Sequence, residues 1–163
     1  MRYLSLLLVI CFAAACTSVT HVPIALAAEH PEAELFEADR DAKADVDAAL
    51  AQGAAEDKTT LVVMGANWCH DSRALAGWFS TDEDISAVLE RDFVVAYVDV
   101  AKKNRNIDVA QRFGIDSIVG TPTVIMVAPD GTVLNRDTAV TWRNSASRTK
   151  AEIKQALDTA DQL

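Results

Sequence analysis

Cysteine is scarce in this chain: there are three in 163 residues, Cys11, Cys16 and Cys69. Two of them fall in an N-terminal leader, so a single sulfur, Cys69, belongs to the expected folded part and no internal disulfide framework can form. Basic charge is thin as well, with 15 Lys and Arg against 24 Asp and Glu and a net charge of −9. No basic stripe stands out beyond Lys102-Lys103-Asn104-Arg105, which reads as a solvated loop, and this argues against nucleic acid as a partner. The acidity is uneven. From Glu29 to Asp57 there are 10 acidic residues against Arg40 and Lys43, whereas from Lys58 onward 12 basic residues meet 14 acidic ones. No internal repeat is visible, and no apolar run is long enough for a comfortable membrane span. What remains is ordinary for one domain: half the residues are apolar, enough for a core.

The N-terminus has the shape of a secretory signal, with Met1-Arg2 followed by the apolar stretch YLSLLLVICFAAA. Two processing sites compete. Ala25-Leu26-Ala27 is an A-x-A site, although it lies far downstream of the apolar stretch. Ala13-Ala14-Ala15-Cys16 resembles a bacterial lipoprotein site, which would leave Cys16 lipidated and the protein attached to a membrane. The leader is therefore residues 1–27, or 1–15 for a lipoprotein. On either reading the protein is expected in the bacterial periplasm. Residues 28–36 read as a tether, and 37–163 as the domain, opening on an acidic helix.

Ala42, Val46, Ala49 and Leu50 fall at i, i+4, i+7 and i+8, a helical face, with Gly53 as a stop. Thr59 to Met64 is a β-branched, apolar run without alternation, as expected of a strand buried on both faces. A helix starts near Cys69 and runs through Leu75, Ala76 and Phe79, loosened at Gly77. Ser80-Thr81-Asp82-Glu83 matches a capping box for the next helix, which carries Ile85, Val88 and Leu89. Phe93 to Val100 is a second strand. Asn106 is expected to cap a helix ending at Gly114. Thr123 to Ala128 is a third strand, Pro129-Asp130-Gly131 a turn, and Thr132 to Leu134 the start of a hairpin partner. Thr149-Lys150-Ala151-Glu152 is a capping box opening the last helix. Strands alternating with helices and then a hairpin imply an α/β fold, a mixed sheet with helices on both faces. Cys69, at a strand-to-helix junction, lies beside unpaired N–H groups and the positive end of the helix dipole, which favour negative charge on sulfur.

With Trp68-Cys69 at a strand end, Gly120-Thr121-Pro122-Thr123 before the third strand and the Pro129-Asp130-Gly131 turn, the chain resembles the thioredoxin superfamily from about residue 35 to 163. Asn67-Trp68-Cys69-His70-Asp71 is most like the bacterial group whose site reads WCPDC. The resemblance implies a three-layer α/β/α fold and a cis Pro122 facing Cys69. It also implies that the Thr121 backbone pairs with an extended substrate, as in strand addition. Trp68 and His70 would flank that substrate. Two departures matter. Ser72 stands where the family has its second, resolving cysteine, and Val63 stands where it has a buried carboxylate. A dithiol reductase attacks with one sulfur and releases the mixed disulfide with the other; this chain has only the first.

Two functions fit. One is a monothiol exchange protein in which Cys69 attacks client or glutathione disulfides, Ser72 offers the sulfur a hydrogen bond, and an external thiol completes the cycle. The other is a redox-inactive binding module for an envelope partner, with Trp68 as a contact aromatic and the acidic helix as an interaction surface. No cofactor is expected. A metal site at Cys69 and His70 is disfavoured because adjacent residues diverge and the other histidines, His21 and His30, lie in the leader and tether.

Overall fold

The computed structural model describes residues 30–160; the leader, both candidate processing sites and Cys16 lie outside them. The strand expected from Thr59 forms as β1 (Thr59–Gly65), every residue after Thr59 buried. β2 (Phe93–Asp99) runs parallel to it on one side and β3 (Thr123–Val127) antiparallel on the other, giving the order β2-β1-β3. The register pairs Met64 with both Val98 and Thr123. Side chains alternate across a strand, so β1 feeds two cores. Leu61 and Val63 point to one, with Val124, Met126 and the apolar residues of α2 (His70–Thr81), α3 (Glu83–Asp92) and α5 (Lys150–Asp158). Val62 and Met64 point to the other, with Ile125, Val46 and Ala49 of α1 (Ala42–Glu56), and Val109 and Ala110 of α4 (Ile107–Arg112). The fold is a three-layer α/β/α, a mixed sheet with helices packed on both faces. Each of these four β1 side chains has no exposed surface, and burial of that kind contributes about 1.5–3 kcal/mol per side chain.

The local signals divide. Thr149 and Glu152 form the expected reciprocal capping box of α5. Ser80 does not cap: its hydroxyl donates back to the Ala76 carbonyl at 2.7 Å, prolonging α2. Asp82 is the N-cap of α3 instead, its carboxylate accepting from the N–H groups of Asp84 and Ile85. Gly53 does not stop α1, which runs on to Glu56 and ends at Asp57 in the left-handed region. Gly53 is small because a side chain there would collide with the Thr60 hydroxyl, 2.5 Å from a built Cβ. Asn106 occupies the N-cap of α4 without capping; its amide donates to the Asp99 carbonyl at 2.9 Å.

The hairpin partner shrinks to a single bridge, Val133 with Val127. Beyond it the Asn135 side chain takes over the ladder, accepting from Met126 N and donating to Val124 O, both at 2.8 Å. A side-chain amide thus satisfies the β3 edge where a strand was expected. A 3₁₀ segment that the sequence reading missed, Ala139–Ser147, follows and buries Ala139 and Trp142.

Residues 30–36 are no free tether. Phe36 is 2% exposed and belongs to the core. The Ala33 N–H donates to the Arg73 carbonyl at 3.0 Å. Asn67 both accepts from Phe36 N and donates to Phe36 O at 3.1 Å. This strap lies against α2, and Gly77 is what lets it. A Cβ built on Gly77 would fall 2.6 Å from Glu32 N and closer still to the Pro31 carbonyl.

Candidate active site

β1 delivers the chain to a turn, Ala66-Asn67-Trp68, and Cys69 closes it with its N–H on the Ala66 carbonyl at 3.0 Å. Cys69 is the N-cap of α2, extended at φ −90° and ψ 120°. Its carbonyl accepts the Arg73 N–H at 3.0 Å, starting the helix. No side chain caps α2, so its first N–H groups keep their positive potential for whatever the sulfur becomes. The thiol is partly exposed and donates across the turn to the Thr121 carbonyl at 3.3 Å. The Thr121–Pro122 bond is cis. The preceding turn is held by the Thr123 hydroxyl on the Gly120 carbonyl at 2.8 Å. Cys69, Thr121 and Pro122, separated by more than fifty residues, therefore meet at one point.

Trp68 stands beside them, 50% exposed. Its indole Nε1 donates to the Ala101 carbonyl at 2.6 Å, and Lys102 lies 5.3 Å from the ring centroid. The loop presenting that carbonyl is fixed by Asp99, whose carboxylate accepts from Ala101 N and from Arg105. Asp99 and the basic loop, which had no role in the sequence reading, thus hold Trp68 in place. Val119 was missed altogether. It is 62% exposed on the loop leading into Thr121. Among the described residues, Trp68 and Val119 are the two large apolar side chains left exposed, one on each loop joined by the sulfur. Their signal lay in Ile118-Val119-Gly120: of two adjacent apolar residues on an irregular segment, Ile118 is buried and its neighbour faces out.

Ser72 departs from its expected part. Its hydroxyl is fully buried and makes no hydrogen bond, to Cys69 or to any other described group. It packs against the end of β1, where a Cβ on Gly65 would lie 2.8 Å from Ser72 Oγ. Asp71 accepts from Ala146 N at 3.0 Å, fastening α2 to the 3₁₀ segment. Val63 has no exposed surface and sits in the same core as Phe36 and Leu75, so the place of the family carboxylate is apolar.

His70 points from the first turn of α2 to the strap. Its Nε2 is 3.1 Å from Glu32 Oε1, and its ring centroid is 4.7 Å from that of His30. Glu32 Oε2 accepts from Arg73 Nε at 2.8 Å. That guanidinium holds the Glu32 carboxyl below the usual carboxylate range. The sequence reading placed His30 away from the site; the packed strap brings it back. A cleft of about 450 Å³ lined by Asp57, Thr59, Phe93 and Pro129 lies at the opposite end of β1 and takes no part in this chemistry.

A family model described as thioredoxin-like matches residues 41–129. Among solved structures the chain is similar to a disulphide isomerase from Xylella fastidiosa Temecula1. The two are 30% identical over 79% of this chain and 98% of that one, with a TM-score of 0.73. It is similar in fold to a thioredoxin from Thermus thermophilus, 24% identical over 71% of this chain and 82% of that one, with a TM-score of 0.53. No curated protein matches.

Proposed function

The chain belongs to the thioredoxin-like family, and on that premise we propose that it is a thiol-disulfide exchange protein of the bacterial envelope working through one sulfur. Cys69, as thiolate, attacks one sulfur of a client or glutathione disulfide. A new S–S bond forms to Cys69, the old one breaks, and the departing thiolate takes up the proton that Cys69 gave to solvent. An external thiol then attacks the mixed disulfide and restores Cys69, so electrons pass between partners and the protein ends unchanged. The observation that carries this is the 3.3 Å contact between Cys69 Sγ and the Thr121 carbonyl. Once the sulfur is in a disulfide it has no hydrogen to donate. The Thr121 carbonyl is then free to accept an N–H from the client backbone beside it. Trp68, His70 and Val119 border that path, and the similarity to a disulphide isomerase supports the chemistry.

Ser72 cannot resolve the intermediate, since a buried hydroxyl does not displace a thiolate from sulfur. Export follows from the signal-like leader, with removal of residues 1–27, or of 1–15 and lipidation of Cys16. The test is trapping. The purified protein mixed with a glutathione-blocked peptide should form a covalent adduct that Cys69→Ser abolishes and added thiol dissolves. No adduct at neutral pH removes the proposal. A second reading, a redox-inactive binding module, draws on the apolar Val63 and on the exposed pair Trp68 and Val119. Peptide binding undiminished in Cys69→Ser, with no adduct in the parent, would select it.

A further inference from the structure

Two histidines and a carboxylate converge where residues 30–36 cross the first turn of α2, with His70 following Cys69 in the chain. One ligand atom each from His30, Glu32 and His70 lies within 4.8 Å of the others. We propose that these three residues form a binding site for a divalent transition metal of the zinc and copper class, built where the strap crosses the first turn of α2.

Imidazole nitrogen and carboxylate oxygen suit these ions. Bonds of about 2.0–2.1 Å in a tetrahedral array place ligand atoms about 3.3 Å apart. His70 Nε2 and Glu32 Oε1 are already 3.1 Å apart, and with all three ligand atoms within 4.8 Å of one another the His30 ring, tilted 48° to that of His70, needs to close by at most about 1.5 Å to reach tetrahedral spacing. The cation would sit between His70 Nε2 and Glu32 Oε1, which already face each other. Glu32 can serve because its oxygens are divided: Oε2 accepts from Arg73, and Oε1 faces the histidines. That same arginine fixes the carboxylate, so one ligand is oriented before metal arrives.

The strap is held at Ala33 and Phe36, which places His30 and Glu32 within reach of His70 at a small entropic cost. The cluster is open to solvent, His70 being 60% exposed, so water would complete the coordination, as in three-ligand sites. Cys69 is not among the ligands. Metal would therefore leave the thiol free and pin the strap to the helix that starts at it.

The probe is Zn(II), followed by titration calorimetry on the parent, His30→Ala, His70→Ala and Cys69→Ser, and by NMR of the histidine ring protons. The parent should take up one zinc per chain. Each histidine variant should lose affinity at least tenfold, about the size of effect seen when even a supporting residue of a metal site is removed. Cys69→Ser should bind as the parent does. The ring signals of His30 and His70 should shift together while any His21 signal stays. Absence of saturable binding, uptake that survives His30→Ala and His70→Ala combined, or loss of uptake in Cys69→Ser would each overturn the site. None of those results would touch the trapping experiment, so the two proposals fail separately.

Discussion

At the scale of single residues, Ser72 is informative because of what its hydroxyl fails to do. A buried polar group without a partner costs roughly 1–3 kcal/mol of desolvation, and Ser72 Oγ is such a group. Ser72→Ala should therefore stabilise the protein by about 1 kcal/mol in denaturant unfolding. It should also leave the rate of Cys69 alkylation unchanged. A destabilised or less reactive variant would show that the hydroxyl serves the sulfur after all. Ser72→Cys tests the missing second thiol directly. It should gain measurable reduction of a protein disulfide in a dithiol-coupled assay, where the parent shows almost none. Rapid reduction by the parent would refute the single-sulfur reading.

At the scale of elements, what was legible in the sequence was local. The box between Thr149 and Glu152 spans one helical turn, so both partners stand next to each other in the chain. The unbroken run of β1 announces a strand covered on both faces, and the pairing of Trp68-Cys69 with Thr121-Pro122 came through the family resemblance. What was illegible depends on distant partners. Phe36 reads as part of a tether until Asn67, far along the chain, takes both of its backbone groups. Gly77 reads as a weak point until Pro31 is laid across it. Asn135 went unread, because its amide stands in for a strand only once β3 lies beside it.

The strap-to-α2 contact makes two of these claims measurable. Alanine favours a helix interior over glycine by about 1 kcal/mol, yet at Gly77 its methyl group would strike the strap backbone. Gly77→Ala should lift residues 30–36, seen as new proteolytic cleavage there and weaker zinc uptake. A stabilised variant with a protected strap would contradict the contact. The Glu32–Arg73 pair adds a pH dependence. Because Arg73 lowers the folded-state value of Glu32, its contribution is full above the unfolded value of about 4.3. It is lost as pH falls through the lower folded value. Carboxyl NMR should place Glu32 below that ordinary value and return it there in Arg73→Gln.

At the scale of the molecule, the folded unit reaches back to the strap, and Phe36 is the residue that ties the two together. Its ring meets Tyr97 of β2 edge-on, centroids 5.5 Å apart, over the core that also holds α2 and α5. Removing such a ring costs about 3–5 kcal/mol, so Phe36→Ala should lower the unfolding midpoint sharply although it lies outside every helix and strand. Tyr97 reports the same packing in a second way. Burial raises its phenol above the ordinary value near 10, which means the folded state keeps the proton that the unfolded chain releases. The stabilisation by this neutral phenol is whole below pH about 10 and declines as pH climbs from there toward the folded value. Absorbance titration should find the partly buried Tyr97 silent at the pH where a free tyrosine ionises, and Phe36→Ala, by letting more water reach the ring, should bring its ionisation back toward that pH. If Tyr97 titrates normally in the parent, the Phe36 ring does not cover this side of the sheet as its edge-on contact implies.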